Sequence, residues 1–115
     1  MKKLMIFSAL SALAFVLSYC GTSKKAVKQT VKMNYDLNVK AILEADCAPC
    51  HFPAKGGKKH PLDSYAEVSK NIDDILRRVQ LNPDERGFMP RDHSKLSDST
   101  INILKQWKDD GMPEN

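Results

Sequence analysis

Apolar residues recur at helical spacing in three stretches of this chain. The clearest set falls at i, i+3, i+4 and i+7: Ile72, Ile75, Leu76 and Val79. It predicts an amphipathic helix that ends near Gln80. Two further sets have mostly helical spacing: Leu37, Val39, Ala41, Ile42 and Leu43, and then Ile101, Leu104 and Trp107. No apolar run alternates with polar residues as a half-buried strand would, so the pattern predicts an all-α domain.

Capping residues and helix breakers set the predicted bounds. Three polar residues are placed as N-caps of the first, second and last helices: Asp36, Ser64 and Ser97. Glu67 completes a capping box with Ser64, which opens a short helix ahead of the amphipathic one. Gly111 ends the last helix, predicted over 98–110. Prolines and glycines in 52–61 and 82–97 predict irregular segments.

Residues 1–20 have the parts of a lipoprotein-type signal peptide. Two lysines precede an apolar run over 4–17, which is shorter than the roughly 20 apolar residues of a membrane span. The following Leu17-Ser18-Tyr19-Cys20-Gly21 resembles a bacterial lipobox, in which the cysteine is lipidated and becomes the first mature residue. Tyr19 departs from the usual Gly, Ala or Ser. Ordinary cleavage near Cys20 and an uncleaved N-terminal anchor are the alternatives.

Charge separates a basic tether from the domain. The chain has a net charge of +4, but residues 34–115 carry 12 Lys and Arg against 14 Asp and Glu. The excess positive charge therefore lies before residue 34, which argues against a nucleic-acid surface on the domain. Residues 21–33 form a flexible basic tether that can contact anionic lipid head groups. The domain itself is assigned to 34–115.

The residues with the most specific chemistry are Cys47-Ala48-Pro49-Cys50-His51. A C-x-x-C-H run is typical of c-type haem attachment. Two thiols three positions apart on one turn can reach the two vinyl groups of one haem and form thioethers. The imidazole of His51 then lies under the iron as its proximal ligand. Of the three cysteines in the chain, this use leaves only Cys20, and a free thiol would be a liability in an exported protein.

Three alternatives to haem attachment are open for this motif. A zinc half-site would need a second ligand pair, and no other close Cys/His pair exists in the sequence. A thioredoxin-type dithiol would lie at the start of a βαβ unit, for which there is no β pattern. The third alternative is a chance adjacency of two cysteines and a histidine.

A second iron ligand has four candidates downstream: His60, Met89, His93 and Met112. Met89 is preferred because it lies in an irregular segment, and Pro90 biases it away from helical backbone. Its thioether sulfur is a soft ligand that raises the potential of haem iron. The alternative is that Met89 fills a gap in the core, as methionines usually do.

The domain over 34–115 resembles a small monohaem class I cytochrome c. The resemblance rests on a helix leading into the C-x-x-C-H motif, the pair Met89-Pro90, and a final helix carrying Trp107. It implies an all-α fold in which three to five helices wrap one covalent haem c and the first and last helices cross steeply. It also implies that the carbonyl of Pro61, which is followed by the apolar Leu62, accepts a hydrogen bond from the ring N–H of His51. The resemblance places Trp107 against the first helix or the haem edge, or simply in the core.

The resemblance implies a one-electron carrier rather than an enzyme. Its iron would cycle between Fe(III) and Fe(II) in the bacterial envelope, tethered to a membrane and exchanging electrons with redox partner proteins. Three lysines beside the motif either steer docking to an acidic partner or simply form a solvated loop: Lys55, Lys58 and Lys59. The rival interpretations are a haem sensor with a displaceable Met89, a peroxidase, and a metal or dithiol module without haem.

Overall fold

A computed structural model describes residues 31–115. Its three α-helices are α1 (Lys40–Asp46), α2 (Tyr65–Gln80) and α3 (Asp98–Asp109). A π-helical turn, Tyr35–Val39, leads directly into α1, and a 3-10 turn, Pro53–Lys55, lies between α1 and α2. No strand occurs within 31–115, which confirms the all-α prediction for this range, and no helix there is long and apolar enough to cross a membrane. The predicted signal peptide, Cys20, and residues 21–30 of the tether lie outside the described residues.

The first helical segment begins two residues earlier than predicted. Its N-cap is Asn34, whose side-chain oxygen accepts a hydrogen bond from the backbone N–H of Leu37 at 2.8 Å, so the assignment of Asp36 is wrong. The buried residues of this segment lie four apart, at Tyr35, Val39 and Leu43. Because Leu37 falls midway in this spacing, it lies on the outer face and is 78% exposed, contrary to its predicted core role.

A single helix replaces the two predicted between Ser64 and Gln80. Helix α2 runs unbroken over 16 residues because no proline or glycine interrupts it. The Ser64 hydroxyl accepts a hydrogen bond from the Glu67 N–H at 3.3 Å, which confirms the predicted cap. Its buried stripe contains the predicted apolar set together with Val68.

Helix α3 follows its prediction closely. The Ser97 hydroxyl accepts from the Thr100 N–H at 3.1 Å, and Gly111 adopts a positive φ of 85° just beyond the helix end. The buried residues Ile101, Leu104 and Trp107 face α2 and the first helical segment across the common core.

An aromatic cluster joins the two ends of the domain. The ring centroids of Tyr35, Tyr65 and Trp107 lie 5.6–6.3 Å apart. The carbonyl of Pro113 accepts hydrogen bonds from the Trp107 indole N–H and from the Tyr35 backbone N–H, each at 2.9 Å. Trp107 therefore packs against the first helical segment, which was one of its expected positions.

Candidate functional site

A cleft of about 410 Å³ lies between the turn at residues 47–51, α2 and the segment 89–96. This volume is within the range of small-molecule and cofactor sites, about 300–1,000 Å³. Its apolar walls come from these three parts and from the loop before α2: Ala48, Leu62, Ile75, Val79 and Leu96. Trp107 does not contribute to the lining, so it belongs to the core and not to this cleft.

The C-x-x-C-H residues form a compact turn at the end of α1. Cys47 is the C-cap of that helix, and its carbonyl accepts a hydrogen bond from the His51 N–H at 3.1 Å. The two cysteines are not joined by a disulfide. Cys47, Cys50 and His51 all line the cleft, so the turn brings both thiols and the imidazole to one cavity.

The loop after the motif supports this turn through Gly57. A Cβ at Gly57 would lie 2.5 Å from the Cys50 carbonyl oxygen, 2.8 Å from its carbonyl carbon, and closer still to the Pro49 oxygen. Only glycine allows the two backbone segments to approach this closely. The Lys59 N–H also donates to the Cys50 carbonyl at 3.1 Å. The sequence pattern indicated this glycine only as a helix breaker, and its packing role was missed.

The orientation of His51 is set by the backbone of the following loop. Its Nδ1 lies 2.6 Å from the carbonyl oxygen of His60. Because a carbonyl can only accept, Nδ1 must carry the hydrogen, and the neutral ring then has its lone pair on Nε2. That is the nitrogen a haem iron would need.

The acceptor of this hydrogen bond is displaced by one residue from the predicted Pro61. The Leu62 N–H donates to the His51 carbonyl at 2.9 Å, and this bond sets the register that turns the His60 carbonyl toward the imidazole. Pro61, which has no N–H, lies between the two bonds. Leu62 is buried and lines the cleft, whereas Pro61 is not among the lining residues.

The side chain of His60 is held on α2. Its Nε2 lies 3.0 Å from the Asn71 amide nitrogen, which also donates to the Glu67 carbonyl at 2.7 Å. The Glu67 carboxylate lies 3.4 Å from the same His60 nitrogen. Asn71 and Glu67 therefore restrain the residue whose carbonyl orients His51, a role that no sequence motif indicated.

Burial of Cys47 disfavours the thiolate form at that position. Burial, and secondarily the neighbouring Asp46 carboxylate, raise the pKa of the Cys47 thiol from 9.0 to about 12. An unmodified thiol there stays protonated at neutral pH, whereas redox-active and zinc-bound cysteines are thiolates. Within residues 31–115, no three His, Cys, Asp or Glu side chains lie close enough together to hold a metal ion.

The candidates for a second iron ligand separate by position. Met89, His60 and His93 line the same cleft as His51, whereas Met112 does not. The backbone of Met112 instead bonds to the aromatic cluster, donating to the Trp107 carbonyl at 2.9 Å and accepting from the Tyr65 hydroxyl at 3.0 Å. His93 is exposed, while Met89 is half-buried. The structure thus brings the preferred Met89 to the cavity that holds His51.

The residues present fit a covalently bound haem. Two thiols and an imidazole with an available Nε2 come from one turn, and a thioether comes from a separate segment of the lining. The apolar walls suit a macrocycle. Arg78 and Arg91 also line the cleft and offer guanidinium groups of the kind that bind carboxylates such as haem propionates.

Comparisons with protein-family models, curated proteins and solved structures find no match to this chain.

Proposed function

We propose that this chain binds one covalent haem c and acts as a one-electron carrier of the bacterial cell envelope. The observation that carries the proposal is the convergence of Cys47, Cys50, His51 and Met89 on one cleft with apolar walls. The attachment motif and the His/Met pair resemble those of a class I cytochrome c, and an all-α domain is compatible with that family.

The residues have distinct roles in this proposal. Cys47 and Cys50 would hold the haem through thioethers, and His51 and Met89 would be the side chains that bind its iron. When bound, the haem iron supplies the one-electron chemistry. The His60 carbonyl accepts from His51 Nδ1, which fixes the tautomer whose lone pair is on Nε2.

Two protein ligands on the iron favour a carrier over an enzyme. If His51 and Met89 both bound the iron, no coordination site would remain for a substrate. The same ligands in both oxidation states keep reorganisation small, which suits electron transfer. A sensor is the alternative, and it would require Met89 to leave the iron readily; Met89 lies outside the helices, next to the exposed residues 91–93.

Placement in the envelope completes the proposal. Export through the signal over 1–20, lipidation of Cys20, and the basic tether would hold the domain beside a membrane. Redox proteins of an envelope electron-transfer chain would be its partners. The exposed Lys55, Lys58 and Lys59 lie in the loop after Cys50 and would attract an acidic partner surface.

The test is a set of visible spectra of the full chain produced with a c-type maturation system. We expect a low-spin spectrum in both oxidation states and no change when carbon monoxide is added to the ferrous protein. Met89→Ala should become high-spin and bind carbon monoxide. Met112→Ala is the matched control, because it removes a methionine that does not line the cleft. A parent protein that binds carbon monoxide avidly would refute the carrier and favour the sensor.

A further inference from the structure

We infer that Arg78, on α2, is a positioning residue that holds the Met89 segment against the helix. The inference rests on the proposed function, since it concerns the segment that would supply the second axial ligand. Three hydrogen bonds carry it. The Arg78 carbonyl accepts from the Met89 N–H at 3.3 Å, the Arg78 Nη1 donates to the Gly87 carbonyl at 3.4 Å, and the Arg78 Nε donates to Asp74 at 2.6 Å.

These bonds attach the segment on both sides of Phe88. One bond reaches residue 87 from the guanidinium and one reaches residue 89 from the backbone of the same arginine. Phe88 between them is only 7% exposed. Gly87 has a positive φ of 98°, and a Cβ there would lie 3.5 Å from Arg78 Nη1. The guanidinium of Arg78 therefore lies beside Gly87 and bonds to its carbonyl.

Asp74 fixes the guanidinium that makes the contact. Its two carboxylate oxygens accept from Arg77 and Arg78 separately, one oxygen for each arginine. The Arg77 side chain is 55% exposed and that of Arg78 is 36% exposed. The two arginines are adjacent in sequence and bond to the same carboxylate, but Arg78 is the one that bonds to residues 87 and 89. Arg77 is therefore a matched control.

The consequence is a lower tendency of the Met89 sulfur to leave the iron. Loss of the guanidinium removes the bond at Gly87 but keeps the backbone bond to Met89, so the effect should be partial. A neutral variant, Arg78→Gln, is expected to raise the apparent affinity of the ferrous protein for carbon monoxide about three- to tenfold, the effect of losing one hydrogen bond of ordinary net strength. It should also lower the midpoint potential toward that of Met89→Ala.

Arg78 also lines the cleft, and its charge could act on haem carboxylates instead. Arg78→Lys separates the two roles, because lysine keeps the charge but cannot bond to Asp74 and Gly87 as a planar fork. If Arg78 acts by holding residues 87–89 in place, Arg78→Lys should have the same carbon monoxide affinity as Arg78→Gln. Rescue to the parent value by lysine would overturn the inference.

The experiment compares carbon monoxide titrations and midpoint potentials of five holoproteins: parent, Met89→Ala, Arg78→Gln, Arg78→Lys and Arg77→Gln. If the parent and Met89→Ala have the same carbon monoxide affinity and midpoint potential, Met89 is not an iron ligand and the proposed function is refuted. If the parent and Met89→Ala differ but Arg78→Gln behaves like Arg77→Gln, the positioning role of Arg78 is refuted and the proposed function is not. The expected result is that Arg78→Gln lies between parent and Met89→Ala, with Arg77→Gln at the parent value.

Discussion

Replacing Gly57 by alanine should disturb the turn at residues 47–51 more than adding a methyl group at any other position of the following loop. The new Cβ would lie 2.5 Å from the Cys50 oxygen and 2.8 Å from its carbonyl carbon, where ordinary contact begins at 3.4 Å. The two backbone segments must therefore separate by about 1 Å, since no rotatable side chain can yield. Overpacking of this kind typically costs 1–3 kcal/mol, and we expect about 3 kcal/mol here because all the clashing atoms are backbone.

Gly56→Ala is the control for this substitution. A Cβ at Gly56 meets nothing within 4 Å, but its φ of 82° is left-handed, so alanine there costs roughly 1 kcal/mol of backbone strain alone. The difference of about 2 kcal/mol corresponds to a gap in Tm of about 10 °C for a domain of this size. Thermal unfolding of the two holoproteins, followed by circular dichroism, measures it. Equal Tm values would show that Gly57 does not support the turn.

Two further predictions concern residues that contribute to the stability of the fold. Trp107→Phe should lower the free energy of unfolding by about 1–3 kcal/mol, because it opens space at a fully buried position and removes the indole donor from the Pro113 carbonyl. The visible spectrum of the holoprotein should stay unchanged. A spectral change would contradict the placement of Trp107 outside the cleft. Hydrogen bonds from Arg78 and then Arg77 hold the pKa of Asp74 below 3.8, so this carboxylate stabilises the folded state above that pH and ceases to do so as the pH falls through its folded pKa. Asp74→Asn should therefore lower the free energy of unfolding by at most about 1 kcal/mol at pH 7, because the Asp74–Arg78 ion pair is half-exposed. In acid, the urea midpoints of the variant and the parent should converge. Midpoints that diverge in acid would contradict the lowered pKa of Asp74.

Local signals in the sequence were sufficient for part of the fold. The caps at Ser64 and Ser97 and the stop at Gly111 depend on neighbours within a few residues, and the structure confirms all three. The first segment was mispredicted because Asn34 and Asp36 are both good caps. The choice between them depends on burying Tyr35 against Trp107, a contact between distant parts of the chain.

In the candidate site, too, local features could be predicted from the sequence and contacts between distant segments could not. The spacing of the C-x-x-C-H motif is local and specified its own turn, and Pro90 indicated correctly that Met89 lies outside a helix. The acceptor for His51 could not be assigned to the residue level, because any residue offers a carbonyl and the register depends on the Leu62 bond. The contacts made by Gly57 and Arg78 likewise join segments whose proximity appears only in the folded chain.

Intact-mass spectrometry of the full chain, produced with a c-type maturation system, shows whether one haem is covalently attached. The predicted result is a protein whose mass includes one haem, retained after denaturation and acid extraction, and lost from the double variant in which Cys47 and Cys50 are both alanine. A colourless protein with two unmodified thiols at these positions would contradict the account.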